Sequence, residues 1–101
     1  MICVFLKLSK IAYIVHELLR QYHAEYAILF GSYARSEVNP DSHIDIIVFG
    51  GEGFIPKKIF ELAEDLREKT GLKVDAFEIH EVNPNTDFYR NLLNEGIRIV
   101  A

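Results

Sequence analysis

The 101-residue sequence has little of what several common protein classes require. Cys3 is the only cysteine, which excludes an intramolecular disulfide and a zinc site built from several thiolates. This cysteine usage is typical of a reducing compartment, so we expect a cytoplasmic protein. The apolar start, Met1 to Leu6, is too short to span a bilayer, and no basic residue precedes it. We therefore expect neither a membrane span nor a signal peptide.

Positive charge is also scarce, since the formal net charge is −4. A general nucleic-acid binder usually presents a basic face, so we expect no direct binding of nucleic acid. A single nucleotide is still a possible ligand, because a local site needs only a few donors and a metal ion. Half of the residues are hydrophobic (50%), enough for a packed core, and the length predicts one domain over residues 1–101.

Hydrophobic periodicity divides the chain into helices that alternate with single strands. Strands are predicted at residues 26–30, 44–49, 73–79 and 97–100. Helices are predicted at residues 8–22, from near Pro56 to Gly71, and from Thr86 or Asp87 to Gly96. The connection between Phe30 and Ile44 is too short for a crossover helix and is predicted to be a short helix or turn. Its two strands should be antiparallel neighbours. We predict an α/β (α+β) fold with a mixed β-sheet flanked by helices.

A Gly-Ser pair, Gly31 and Ser32, ends the first predicted strand. Backbone N–H groups at such a turn into a helix, together with the serine hydroxyl, suit phosphate oxygens. On the dipeptide alone, a tight turn and a helix cap are the favoured interpretation. Tyr33 and Arg35 could contact a base or a phosphate, or be ordinary exposed residues of the turn.

Acidic residues interrupt two otherwise apolar strands. His43 and Asp45 are two residues apart and therefore share one strand face. A carboxylate at Asp45 is costly to bury unless a metal ion or a hydrogen-bond donor compensates it. The alternative interpretation is that Asp45 is a strand-end residue that accepts a hydrogen bond from a loop N–H group. Asp75 repeats this situation in the third strand. If the two strands are neighbours, the carboxylates converge into a site suited to Mg²⁺.

This pattern resembles the signature of the DNA polymerase β-like nucleotidyltransferases, and especially their minimal nucleotidyltransferase (MNT) branch. That signature is Gly-Ser, ten residues, Asp-x-Asp, and a third acidic residue on a later strand. The resemblance covers about residues 26–77. The matching positions are Gly31, Ser32, the ten-residue spacer 33–42, Asp45 and Asp75, with Arg35 and the Pro40-Asp41-Ser42 lead-in also similar.

The resemblance implies the polymerase β-like fold and transfer of AMP from ATP to a hydroxyl group, with pyrophosphate leaving. It assigns Asp45, Asp75 and His43 to catalysis and metal binding, with Asp75 also helping to deprotonate the acceptor. Gly31, Ser32 and Arg35 are the implied nucleotide-binding residues. The chain departs from the family where His43 replaces the first Asp and Ser36 a common Gly. Imidazole is a poor Mg²⁺ ligand, so a two-metal site should be weakened.

Three functions follow from these observations. The first is the enzyme just described. The second is a binding protein, because stand-alone MNT proteins of this length resemble the antitoxin of HEPN–MNT toxin–antitoxin pairs. In such a pair the MNT protein either modifies or simply binds a small all-helical HEPN ribonuclease. The third is a structural or nucleotide-sensing domain without turnover. An adjacent reading frame for a small helical protein with closely spaced Arg and His would favour the second.

Overall fold

The computed structural model describes residues 8–31, 33–34 and 43–101. In chain order the helices are α1 (Leu8–Gln21), α2 (Ile59–Thr70) and α3 (Asp87–Glu95), and the strands are β1 (Tyr26–Phe30), β2 (Ile44–Phe49), β3 (Val74–Glu78) and β4 (Ile97–Val100). Short 3-10 turns precede α2 at Pro56–Lys58 and follow β3 at Ile79–Glu81. The predicted elements are confirmed, with ends that differ by a few residues at most. The predicted short helix or turn after β1 lies mainly outside the described residues.

The four strands form one sheet in the order β3-β2-β1-β4. β1 runs antiparallel to β2 and to β4, whereas β2 and β3 are parallel. This confirms both the mixed sheet and the antiparallel pairing of β1 with β2. In the observed register Phe30 lies opposite Asp45, and Asp45 lies beside Asp75. The end of β1 and the starts of β2 and β3 therefore meet at one edge of the sheet.

Helices α1 and α2 cover one face of the sheet and form the larger core. Alternate strand residues point into this core because side chains along a strand alternate between faces. It includes the fully buried residues Ile11, Val15, Leu18, Leu29, Ile46, Val48 and Leu66. Within the described residues, no helix is both long and apolar enough to cross a membrane.

The opposite face of the sheet is covered by α3 and has a smaller core. Ile28, Ile47 and Leu92 are buried there, and Phe30 and Phe49 pack against them. Since Asp45 alternates with Ile46 and so shares the strand face of Ile47, it belongs to this second face. Asp45 therefore lies on the less covered side of the sheet.

Local signals explain where the helices end. Gly71 was predicted to end the second helix, and it follows α2 with φ of 71°, the left-handed conformation that glycine commonly adopts at a helix end. Thr86 accepts a hydrogen bond from the backbone N–H of Tyr89 and so caps α3. Gly96 ends α3 in extended backbone, packed so closely that a Cβ would lie 2.2 Å from Ile28 Cγ2.

Candidate functional site

Three side chains with metal-ligand chemistry converge at the sheet edge. His43 Nε2 lies 3.3 Å from Asp45 Oδ1 and 3.2 Å from Asp75 Oδ2. One ligand atom from each residue lies within 4.8 Å of the other two. The cause is geometric, since His43 and Asp45 share a face of one strand and Asp75 is the register partner of Asp45 on the next. The predicted approach of Asp45 and Asp75 on adjacent strands is confirmed.

Exposure increases across this cluster from Asp45 to Asp75. The side chain of Asp45 is 17% exposed, that of His43 43% and that of Asp75 59%. Asp45 is therefore the floor of the cluster, and Asp75 is its rim. A ligand from solution would meet the Asp75 carboxylate first.

Gly31 brings the backbone directly against this floor. It has φ of 74°, a left-handed conformation that side chains other than glycine rarely adopt. A Cβ on Gly31 would lie 2.3 Å from Asp45 Oδ2, inside van der Waals contact. Gly31 thus faces the carboxylates as predicted, whereas Ser32 and Arg35 lie outside the described residues.

Tyr33 is placed differently from either of its predicted roles. Its side chain is 1% exposed and belongs to the larger core with α1 and α2. Tyr33 is therefore not an exposed residue of the turn. Its buried ring also cannot contact a nucleotide bound on the second face of the sheet. The reason is that an aromatic ring so close to a core strand gains more from burial than from solvent contact.

The donor set fits a divalent cation. Metal bonds of about 2.0–2.1 Å at right angles place neighbouring ligand atoms about 3 Å apart, close to the two distances observed here. One nitrogen and two carboxylate oxygens suit Mn²⁺ or Zn²⁺ better than Mg²⁺, which prefers oxygen. Both distances run from the one Nε2 atom, so its single N–H group can donate to one carboxylate or be shared between the two.

A cavity of about 190 Å³ that the sequence pattern did not predict lies beside Gly31. It is formed between the end of β1 and one side of α3, with Phe30, Phe88, Asn91 and Glu95 among the residues that line it. The sequence predicted this helix but no functional role for it. The available signal was the spacing of Phe88, Asn91 and Glu95, which places an aromatic, an amide and a carboxylate on one helix face.

Comparison with known proteins agrees with this geometry. The family model described as polymerase beta, nucleotidyltransferase matches residues 13–101, most of the chain. The chain belongs to this nucleotidyltransferase family. The family expectation from the Gly-Ser and acidic positions is confirmed, as is the polymerase β-like fold.

Two similar proteins agree with the MNT resemblance. A protein of Methanocaldococcus jannaschii, provisionally named a protein adenylyltransferase, is 37% identical over 73 residues, 68% of this chain and 71% of the relative. A solved structure provisionally described as a minimal nucleotidyltransferase is 28% identical, with a TM-score of 0.75 over 89% of this chain and 90% of that chain.

The fold also occurs in a solved toxin–antitoxin complex. A chain in the structure of a tri-AMPylated Shewanella oneidensis HEPN toxin with its MNT antitoxin has a TM-score of 0.67. That match covers 90% of this chain and 70% of the other at 20% identity, so it establishes a shared fold.

Proposed function

We propose that this nucleotidyltransferase transfers AMP from ATP to a hydroxyl group on a small all-helical HEPN-type protein in the cytoplasm. The observation that carries the proposal is the convergence of His43, Asp45 and Asp75 against the backbone of Gly31. Oxygen ligands beside a backbone turn suit a metal-bound triphosphate. The whole chain, residues 1–101, would act as a single domain.

In this proposal, the residues at the end of β1 bind the triphosphate and the carboxylate cluster binds the metal ion. Gly31, with Ser32 and Arg35 from the resemblance, would hold the triphosphate at the end of β1. Asp45, Asp75 and His43 would hold a divalent cation, either the Mg²⁺ that the resemblance implies or Mn²⁺, which tolerates the nitrogen ligand better. Bound there, the cation would neutralise phosphate charge and make the α-phosphorus more electrophilic.

We assign the proton transfer to the rim residue Asp75. The acceptor hydroxyl oxygen would bond to the α-phosphorus, and the bond from that phosphorus to the oxygen bridging to the β-phosphate would break. The hydroxyl proton would pass to the carboxylate of Asp75, and pyrophosphate would leave with the bridging oxygen and its electron pair. With 59% of its side chain exposed, Asp75 is accessible to an acceptor carried by another protein.

Two similar proteins support the acceptor class. The archaeal relative carries a name for adenylyl transfer to protein, and the Shewanella structure pairs an MNT antitoxin with an AMPylated HEPN toxin. A protein acceptor also fits the open rim of the cluster, which leaves room for a large substrate.

A second candidate function is an antitoxin that neutralises a HEPN ribonuclease by binding alone. The observation that favours it is the contact of His43 with both carboxylates. The imidazole offers a nitrogen where a carboxylate would add negative charge, so the cluster holds Mg²⁺ less strongly. In this case the nucleotidyltransferase surface matters and its turnover does not.

Incubation with ATP labelled at the α-phosphate, in Mg²⁺ or in Mn²⁺, tests the proposal with and without the co-expressed helical partner. We expect label on the partner that disappears in Asp45→Asn. Glu68→Gln, at an exposed residue of α2, is the matched control because it removes the same charge away from the carboxylate cluster. Absence of label under all conditions, with a stable complex, would leave the binding antitoxin as the function.

A further inference from the structure

The cavity beside Gly31 has the composition of a small-molecule site. Its walls combine the aromatic rings of Phe30 and Phe88, the apolar side chain of Leu92, and the polar ends of Asn91 and Glu95. The two rings meet edge to face, with centroids 5.4 Å apart and an interplanar angle of 81°. Mostly apolar walls with a few polar groups are typical of ligand pockets.

The cavity is joined to the carboxylate cluster by two contacts. Gly31 lines the cavity and also lies directly against the Asp45 carboxylate. Phe30, on the cavity side, is the register partner of Asp45, so both side chains lie on the same face of neighbouring strands. Neighbouring strands are about 4.8 Å apart, a distance that a ribose can bridge. A nucleotide with its phosphates at Asp45 would therefore reach the cavity with its base.

The polar groups of the cavity lie on one face of α3. Phe88, Asn91 and Glu95 follow the spacing of one helix face, and Phe88 is 46% exposed and accessible to a ligand. Aromatic rings stack on any base. An asparagine amide can pair with both the exocyclic amine and the ring nitrogen of adenine. The Glu95 carboxylate accepts hydrogen bonds only, so it suits an amine and repels a carbonyl oxygen.

We propose that this cavity binds the nucleobase of the donor nucleotide and selects adenine over guanine. Phe88 supplies the stacking surface, and Asn91 and Glu95 contact the exocyclic amine. Guanine presents a carbonyl oxygen where adenine has this amine, which sets it against the Glu95 carboxylate. The inference rests on the proposed function, because it assumes that the triphosphate lies at Gly31 and Asp45.

Calorimetric titration of the full chain with α,β-methylene-ATP and α,β-methylene-GTP, whose α–β linkage cannot be cleaved, tests this site in Mn²⁺. We expect the ATP analogue to bind at least about tenfold more tightly than the GTP analogue. Phe88→Ala should weaken both analogues about tenfold through lost stacking. Glu95→Gln, of nearly the same shape, should bring the two affinities closer, because an amide can also donate to guanine.

The matched control is Leu93→Ala, at a residue 53% exposed on the same helix but outside the cavity. It should leave both affinities unchanged. The inference is overturned if Phe88→Ala and Glu95→Gln bind as the parent does while Asp45→Asn abolishes binding. That result would leave the proposed function intact. If the parent binds neither analogue, the proposed function and this inference both fail.

Discussion

At the residue scale, the distinguishing feature is His43. The family resemblance implies a carboxylate at this position, and the imidazole of His43 lies within 3.3 Å of both other carboxylates. The exchange replaces a charged oxygen donor with a nitrogen donor. Hard cations bind such a set less well, whereas Mn²⁺ and Zn²⁺ accept it. The identity of this one residue therefore bears on both metal choice and rate.

We predict that His43→Asp shifts the metal preference toward Mg²⁺ and raises AMP transfer. The shorter carboxylate fits on the same strand face and restores the missing charge. The expected gain is about a hundredfold in Mg²⁺, equivalent to about 2.7 kcal/mol of transition-state stabilisation. Calorimetric titration with Mg²⁺ and Mn²⁺ measures the preference independently of turnover.

Asp45→Asn in the His43→Asp background is the control and should abolish the gain. A His43→Asp protein that folds, binds ATP and transfers no more AMP than the parent would contradict the catalytic assignment. The binding antitoxin would then be the better description.

Gly31 and Gly71 provide a matched pair of substitutions. Their φ values are 74° and 71°, so alanine at either position should cost about 1–2 kcal/mol of unfolding free energy. Among the described residues, a Cβ at Gly71 would meet no atom within 4 Å, whereas a Cβ at Gly31 would press on Asp45. We predict that Gly31→Ala alone also weakens Mn²⁺ binding. Urea unfolding and metal titration of both variants measure this, and equal metal affinity in the two would count against the site.

At the element scale, the helix and strand assignments illustrate how much a local pattern can predict. Gly71 and Thr86 end and begin helices as expected, because capping depends on the residue itself and its immediate neighbours. The contact between α1 and α2 was not predicted. The Tyr22 hydroxyl, just beyond α1, donates a hydrogen bond to Asp65 of α2, and no local pattern links two residues so far apart.

This contact predicts a loss of stability in alkaline solution. The hydrogen bond to Asp65, with a smaller effect of burial, raises the pKa of Tyr22 from 10.0 to about 12. Below pH 10 the tyrosine is neutral in the folded and unfolded states. The Tyr22–Asp65 hydrogen bond then makes its full contribution to the free energy of unfolding. Between pH 10 and about 12 the unfolded chain ionises first, so the contribution is lost as pH rises.

Thermal unfolding across this pH range should show a shallower decline for Tyr22→Phe than for the parent. Asp65→Asn is the companion variant, because it removes the acceptor and should move the pKa of Tyr22 toward its usual value. An absorbance titration of tyrosinate checks that shift. Identical alkaline profiles for the parent and Tyr22→Phe would exclude this linkage.

At the scale of the whole molecule, the two sheet faces differ in how well they are covered. Helices α1 and α2 close one face, and α3 covers part of the other, where the carboxylate cluster opens to solvent. Several large apolar side chains are also exposed, among them Phe60 at 77% and Ile55 at 60%. Large apolar side chains exposed in this way are compatible with a protein partner.

We predict that the native protein occurs in a stable complex with a small all-helical protein. Co-expression with the neighbouring reading frame and size-exclusion chromatography should show one complex that survives dilution. Asp45→Asn should still form it, because the interaction would depend on surface shape rather than on the metal site. Isolation of the natively expressed protein as a lone monomer, with no helical companion, would contradict this prediction.

The sequence by itself determined the elements, the family and the identity of the cluster residues, because periodicity and motif spacing are local properties. It also indicated that His43 and Asp45 share a face. Only the tertiary structure decided that β3 lies parallel beside β2 in the register that sets Asp75 next to Asp45. It likewise decided that α3 forms a cavity beside Gly31. Strand order and helix docking depend on contacts between distant parts of the chain, and these follow from the packing of the whole core.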